Sequence, residues 1–97
     1  MEQVTSLAER MHWDWVHFRP AQTEQGWRTP VSGTLGKGYP DLLLCKAGRL
    51  LFRELKSDTG RISDEQRAVL DTLREAGADA CVWRPRDWDE VVEVLCG

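Results

Sequence analysis

The chain has 97 residues, 41% hydrophobic and 30% charged, which suits one globular domain and leaves too little sequence for two independent cores. No apolar run approaches the roughly 20 residues of a membrane span, and the start MEQVTSLAER lacks the basic stretch and apolar block of a secretory signal, so an intracellular protein is expected. The formal charge of −3 speaks against a protein that coats nucleic acid through bulk electrostatics.

Charge is unevenly spread: Arg49, Arg53, Lys56, Arg61 and Arg67 crowd the middle, whereas Asp87, Asp89, Glu90 and Glu93 make the C-terminal end acidic, leaving room for a local basic face. The three cysteines, Cys45, Cys81 and Cys96, form no CxxC pair, which suggests neither a disulfide framework nor a thiolate zinc site.

Val4, Leu7, Ala8 and Met11 recur at the spacing of one helix face and predict a first helix over about residues 2–11. His12 then ends the helix, where an imidazole interacts well with the dipole. Trp13 to Phe18 is aromatic and β-branched and reads as a strand limited by Pro20. Residues 19–38 hold two prolines and four glycines without clear periodicity and predict a long exposed loop. Leu42–Cys45 and Leu50–Leu55 are short apolar runs joined by Lys-Ala-Gly-Arg, a hairpin signal with Gly48 free to take positive φ. Ser63 and Gln66 have capping-box spacing, followed by Val69, Leu70, Leu73 and Ala76 on one face and Gly77 as a stop. Ala80 to Trp83 makes a further strand ended by Pro85, and Asp87 can cap a last helix carrying Val91, Val94 and Leu95. The order is α-β-β-β-α-β-α, an α/β layered structure. Trp13, Trp15 and Trp83 fall on strands and are expected in the core, while Trp27 lies in the long loop, where it either wedges into nucleic acid or pins the loop.

If the hairpin turn is centred between Ala47 and Gly48, partners have numbers summing to 95 and Asp41 faces Glu54. Two directly opposed carboxylates, with Cβ atoms about 4.5–5.5 Å apart, repel unless they share a cation. Lys56 falls on the same face as Glu54 because strand side chains alternate. A one-residue slip would instead pair Asp41 with Arg53 in a simple ion pair. Hard oxygen donors without histidine or thiolate suit Mg²⁺ or Mn²⁺, which polarise a phosphate and neutralise the charge that builds on it, while a neighbouring ammonium orients the attacking water.

The segments Lys37-Gly38-Tyr39-Pro40-Asp41-Leu42, Arg53-Glu54-Leu55-Lys56-Ser57, Gly60-Arg61-Ile62-Ser63 through Gln66, and Val82-Trp83-Arg84-Pro85 together resemble the VRR-NUC branch of the PD-(D/E)XK nucleases, including its small stand-alone phage-type members. The resemblance implies a restriction-endonuclease-like αβββαβ core, here with a short C-terminal helix. It implies a divalent metal at Asp41, Glu54 and the carbonyl of Leu55, Lys56 as catalytic lysine, and Gln66 as accessory glutamine. Gln66 alone could equally just close its capping box. His17 and Arg19, where the family shows similar residues, either touch phosphate or are a half-buried strand end, and Lys37 and Arg61 are further candidate DNA contacts. The family carries another acid on its first helix, several positions before the residue matching Val4; Glu2, displaced by nearly one helical turn, is the candidate substitute. By analogy, the expected activity is a Mg²⁺- or Mn²⁺-dependent endonuclease of the bacterial or phage-infected cytoplasm, a homodimer cutting branched DNA such as four-way (Holliday) junctions. The alternatives are a catalytically silent DNA-binding module and a cutter of plain duplex.

Overall fold

The computed structural model describes residues 2–18 and 33–97 in full and, between them, the backbone of two short strands. Helix α1 spans Glu2–Arg10 and buries Val4, Leu7 and Ala8, the predicted face. It ends through His12, whose φ of 64° is the left-handed conformation in which histidine is comparatively tolerated; its backbone N donates to the carbonyl of Glu9 at 3.1 Å. The stop is thus made by the backbone of His12.

Strand β1, Asp14–His17, follows. The long loop expected over 19–38 contains instead a small antiparallel pair, β2 (Ala21–Thr23) and β3 (Gly26–Arg28), with Ala21 opposite Arg28. Three residues per strand are too few for an alternation to register as a pattern. Arg19 and the side chain of Trp27 lie outside the described residues.

The hairpin of β4, Leu42–Lys46, and β5, Arg49–Leu55, has the expected register, with Leu42 opposite Arg53 and Lys46 opposite Arg49. Both turn residues, Ala47 and Gly48, take positive φ of 49° and 80°, the mirror-image turn whose twist matches that of the flanking strands. Helix α2, Asp64–Glu75, starts in the predicted capping box, Ser63 accepting from the Gln66 backbone and Gln66 from the Ser63 backbone. Gly77, with φ of 91°, stops it in the left-handed region that glycine adopts without cost. Strand β6, Asp79–Trp83, then joins β5 in parallel, Glu54 beside Val82. A 3₁₀ turn, Pro85–Asp87, leads into α3, Trp88–Cys96. Asp87 does not cap α3 through its side chain; its carboxylate accepts from the backbone N of Arg84 at 2.9 Å.

The main sheet has the order β1-β4-β5-β6. One face carries the core: Val4, Leu7 and Ala8 of α1, Trp13, Leu42 and Leu44, Leu51, Trp83, and Val91 and Leu95 of α3. Helix α2 packs on β6 with Val69 and Leu70 buried, whereas Ala76 is exposed at its end. Trp13 and Trp83 are core residues as expected, the indole of Trp13 donating to the carbonyl of Leu95 at 2.9 Å. Trp15 is 38% exposed, because β1 is an edge strand and offers its side chains only one neighbour. No described helix is long and apolar enough to cross a membrane.

The expected basic face is broken up by strand alternation. Arg49 and Arg53 point to the face opposite Glu54 and Lys56. Arg53 is 3% exposed, paired with Asp79 at 2.9 Å and stacked 4.5 Å from the ring centre of Trp83. Arg49 lies over Trp13. Arg61 and Arg67 remain exposed.

Candidate active site

The segment before β4 is fixed from several sides, and Asp41 with it. Gly38 has φ of 92° and lies so close to the start of α2 that a Cβ would stand 2.6 Å from the carbonyl carbon and oxygen of Glu65 and 2.8 Å from the Gln66 nitrogen. No other residue type permits that approach. Tyr39 sits edge-on between Phe18 and Phe52, at centroid distances of 5.5 and 6.3 Å, and Pro40 is fully buried. The backbone N of Phe18 donates to the Asp41 carbonyl at 2.7 Å. The Asp41 side chain is oriented by β5, its Oδ1 accepting from the Leu55 backbone N at 3.0 Å.

Glu54 is 5% exposed. Its Oε2 accepts from Gln66 Nε2 at 3.0 Å and lies 3.9 Å from Lys56 Nζ. Gln66 therefore serves both roles read from the sequence: its Oε1 closes the capping box and its Nε2 reaches the carboxylate. Burial, and then the charge of Asp41, push the Glu54 carboxyl up from its usual 4.5 to about 7, against the opposing pull of Lys56. Burial also raises Asp41, although the Leu55 N–H and His17 favour its charged form. Two buried carboxylates, one raised further by the charge of the other and with one ammonium beside them, are short of positive charge, and their donor chemistry fits a hard divalent cation.

His17 joins this group, its Nε2 4.0 Å from Asp41 Oδ2. Lys37 does not: it is exposed and paired with Glu65 at 3.2 Å. Arg61 is exposed. Glu2 is exposed in the first turn of α1, and among the described residues no three His, Cys, Asp or Glu side chains gather as a metal-holding group, so Glu2 is not brought together with Asp41 and Glu54. Sequence reasoning named Gly38 only as part of its motif and missed the close approach to α2 that requires it, and it missed the Leu55 N–H that orients Asp41.

A four-stranded mixed sheet with flanking helices and paired carboxylates at the β4–β5 strand ends defines a restriction-endonuclease-like fold. The family model of the VRR-NUC domain matches residues 13–87. The chain belongs to that family, which carries a nuclease-type DNA-processing function. No curated protein and no solved structure matches significantly.

Proposed function

We propose that the chain is a single nuclease domain and a divalent-metal-dependent endonuclease that hydrolyses DNA phosphodiester bonds. The observation that carries this reading is the convergence of Lys56 and Gln66 on Glu54 Oε2 beside Asp41. Asp41 and Glu54, with the Leu55 carbonyl, would hold Mg²⁺ or Mn²⁺. When bound, the cation supplies Lewis-acid polarisation of the scissile phosphate and neutralises its developing charge.

The protein's own groups do the rest. The Leu55 N–H holds one Asp41 oxygen and leaves Oδ2 on the His17 side. Gln66 holds one Glu54 oxygen, so the carboxylate keeps one orientation. The Lys56 ammonium orients the attacking water and stabilises the anion that forms on phosphorus. His17 is suited to a neighbouring phosphate, and Arg19, Lys37 and Arg61 to the flanking backbone.

Branched DNA such as a four-way junction is the favoured substrate and a homodimer the acting form, since a two-fold pair of sites matches a two-fold substrate. Labelled four-way junction, flap, duplex and single strand, each with Mg²⁺, Mn²⁺ or EDTA, test this alongside Lys56→Ala. Metal-dependent cutting by the wild type, lost in the variant, is expected, with preference for the junction. No cutting of any substrate rejects the enzyme in favour of a DNA-binding module, and equal cutting of all forms rejects the junction preference.

A further inference from the structure

Lys56 and Gln66 are joined by a turn that is fastened from outside the segment. The backbone N of Lys56 donates to the carbonyl of Trp83 at 3.1 Å, which extends the β5–β6 ladder and sets residue 84 beside residue 57. Nη1 of Arg84 then donates to two carbonyls of the turn, Ser57 and Gly60, both at 2.6 Å. The turn is closed on itself by the Gly60 N–H on Ser57 Oγ at 2.9 Å. A second fastening runs from the backbone N of Arg86 to Asp58 Oδ1 at 3.0 Å. Arg84 is in turn held through its own N–H by Asp87.

The clamped turn begins directly after Lys56 and ends shortly before Ser63, whose capping box carries Gln66. The Gln66 amide that donates to Glu54 Oε2 and the Lys56 ammonium 3.9 Å from it are therefore attached to its two ends. A guanidinium remains charged at any working pH, and its charge-assisted hydrogen bonds are stronger than neutral ones. Resting on the nuclease reading above, we propose that Arg84 is a positioning residue: it holds Lys56 and Gln66 against Glu54 by clamping the turn over residues 57–60, with both Nη1 hydrogens engaged in the protein and not on DNA.

Wild type, Arg84→Ala and Arg84→Lys are compared by steady-state cleavage of the best DNA substrate in Mg²⁺ and by NMR amide exchange. Displacement of positioned groups by about 1 Å costs up to about a hundredfold, so Arg84→Ala is expected to lower kcat by about tenfold to a hundredfold. KM should stay within about threefold, because substrate binding is not what is lost. Arg84→Lys, or added guanidinium ion at non-denaturing concentration, is expected to recover part of kcat. The amides of Gly60 and Gln66 should exchange at least about tenfold faster in Arg84→Ala, with the rest of α2 unchanged.

A loss confined to KM would make Arg84 a DNA phosphate contact, and an unchanged kcat would remove it from the site; either overturns the proposal. If the wild type cuts nothing, the nuclease reading fails and the exchange measurement alone decides the clamp: unaltered Gly60 and Gln66 amides overturn it. Should Arg84→Ala fail to fold, Arg84→Lys carries the same comparison.

Discussion

Replacing Glu54 by glutamine is expected to stabilise the cation-free protein at pH 8. Burial and the charge of Asp41 raise the Glu54 carboxyl from 4.5 to about 7, and each tenfold in proton affinity is worth about 1.36 kcal/mol, so ionising Glu54 in the folded chain costs about 3 kcal/mol more than in the unfolded one. Between pH 4.5 and about 7 the folded chain keeps a proton that the unfolded chain has released. Stability therefore falls as pH rises through this window and levels off above it. Glutamine fills the same volume, carries no charge and still offers an oxygen to Gln66 Nε2. Urea unfolding in EDTA should show the wild type losing about 2–3 kcal/mol from this group between pH 5 and 8. Glu54→Gln should be spared that loss and exceed the wild type by about 2 kcal/mol at pH 8. A variant equal to or weaker than the wild type at pH 8 would refute the reasoning, for it would mean that Lys56 and Gln66 already satisfy the charge.

Lys56→Ala should slow the cleavage step by about a hundredfold or more, in keeping with the loss of a group that handles the attacking water; single-turnover cleavage with the protein in saturating excess over DNA measures it, and a drop below threefold would contradict the assignment. Gly38→Ala combines positive φ, worth about 1–2 kcal/mol, with a Cβ 2.6 Å from the backbone of Glu65, and should destabilise by about 2–4 kcal/mol. Urea unfolding tests it, and a change under about 0.5 kcal/mol would show that the β4 approach is not pinned on α2. Asp79→Ala should cost more than Arg53→Met, because the first leaves a guanidinium that is 3% exposed without its carboxylate, held only by the backbone carbonyls of Phe52 and Asp79, and the second replaces it with an apolar chain over Trp83. The reverse order in thermal unfolding would place the energy of this pair in the arginine's packing.

The parts of this fold legible in the sequence are those set by local chemistry. The Ala47-Gly48 turn and its flanking apolar runs determine the β4–β5 register, and hence that Asp41 and Glu54 meet. Ser63 and Gln66 announce α2 by a box that the structure forms in full. What escaped depends on distant surroundings. Arg53 reads as a surface cation until β6 brings Asp79 and Trp83 alongside it. Trp15 reads as core until β1 proves to be an edge. Within the site, Arg84 and Gly38 act through contacts with segments more than 20 residues away, and no spacing rule reports such contacts.

The central claim, that Asp41 and Glu54 form a divalent cation site, is tested most directly by calorimetric titration of Mn²⁺ into the wild type and Glu54→Gln at pH 8, where the wild-type carboxyl is ionised. Saturable binding to the wild type, weakened by about tenfold or more in the variant, is expected. No binding to the wild type, or equal binding to both, would contradict it.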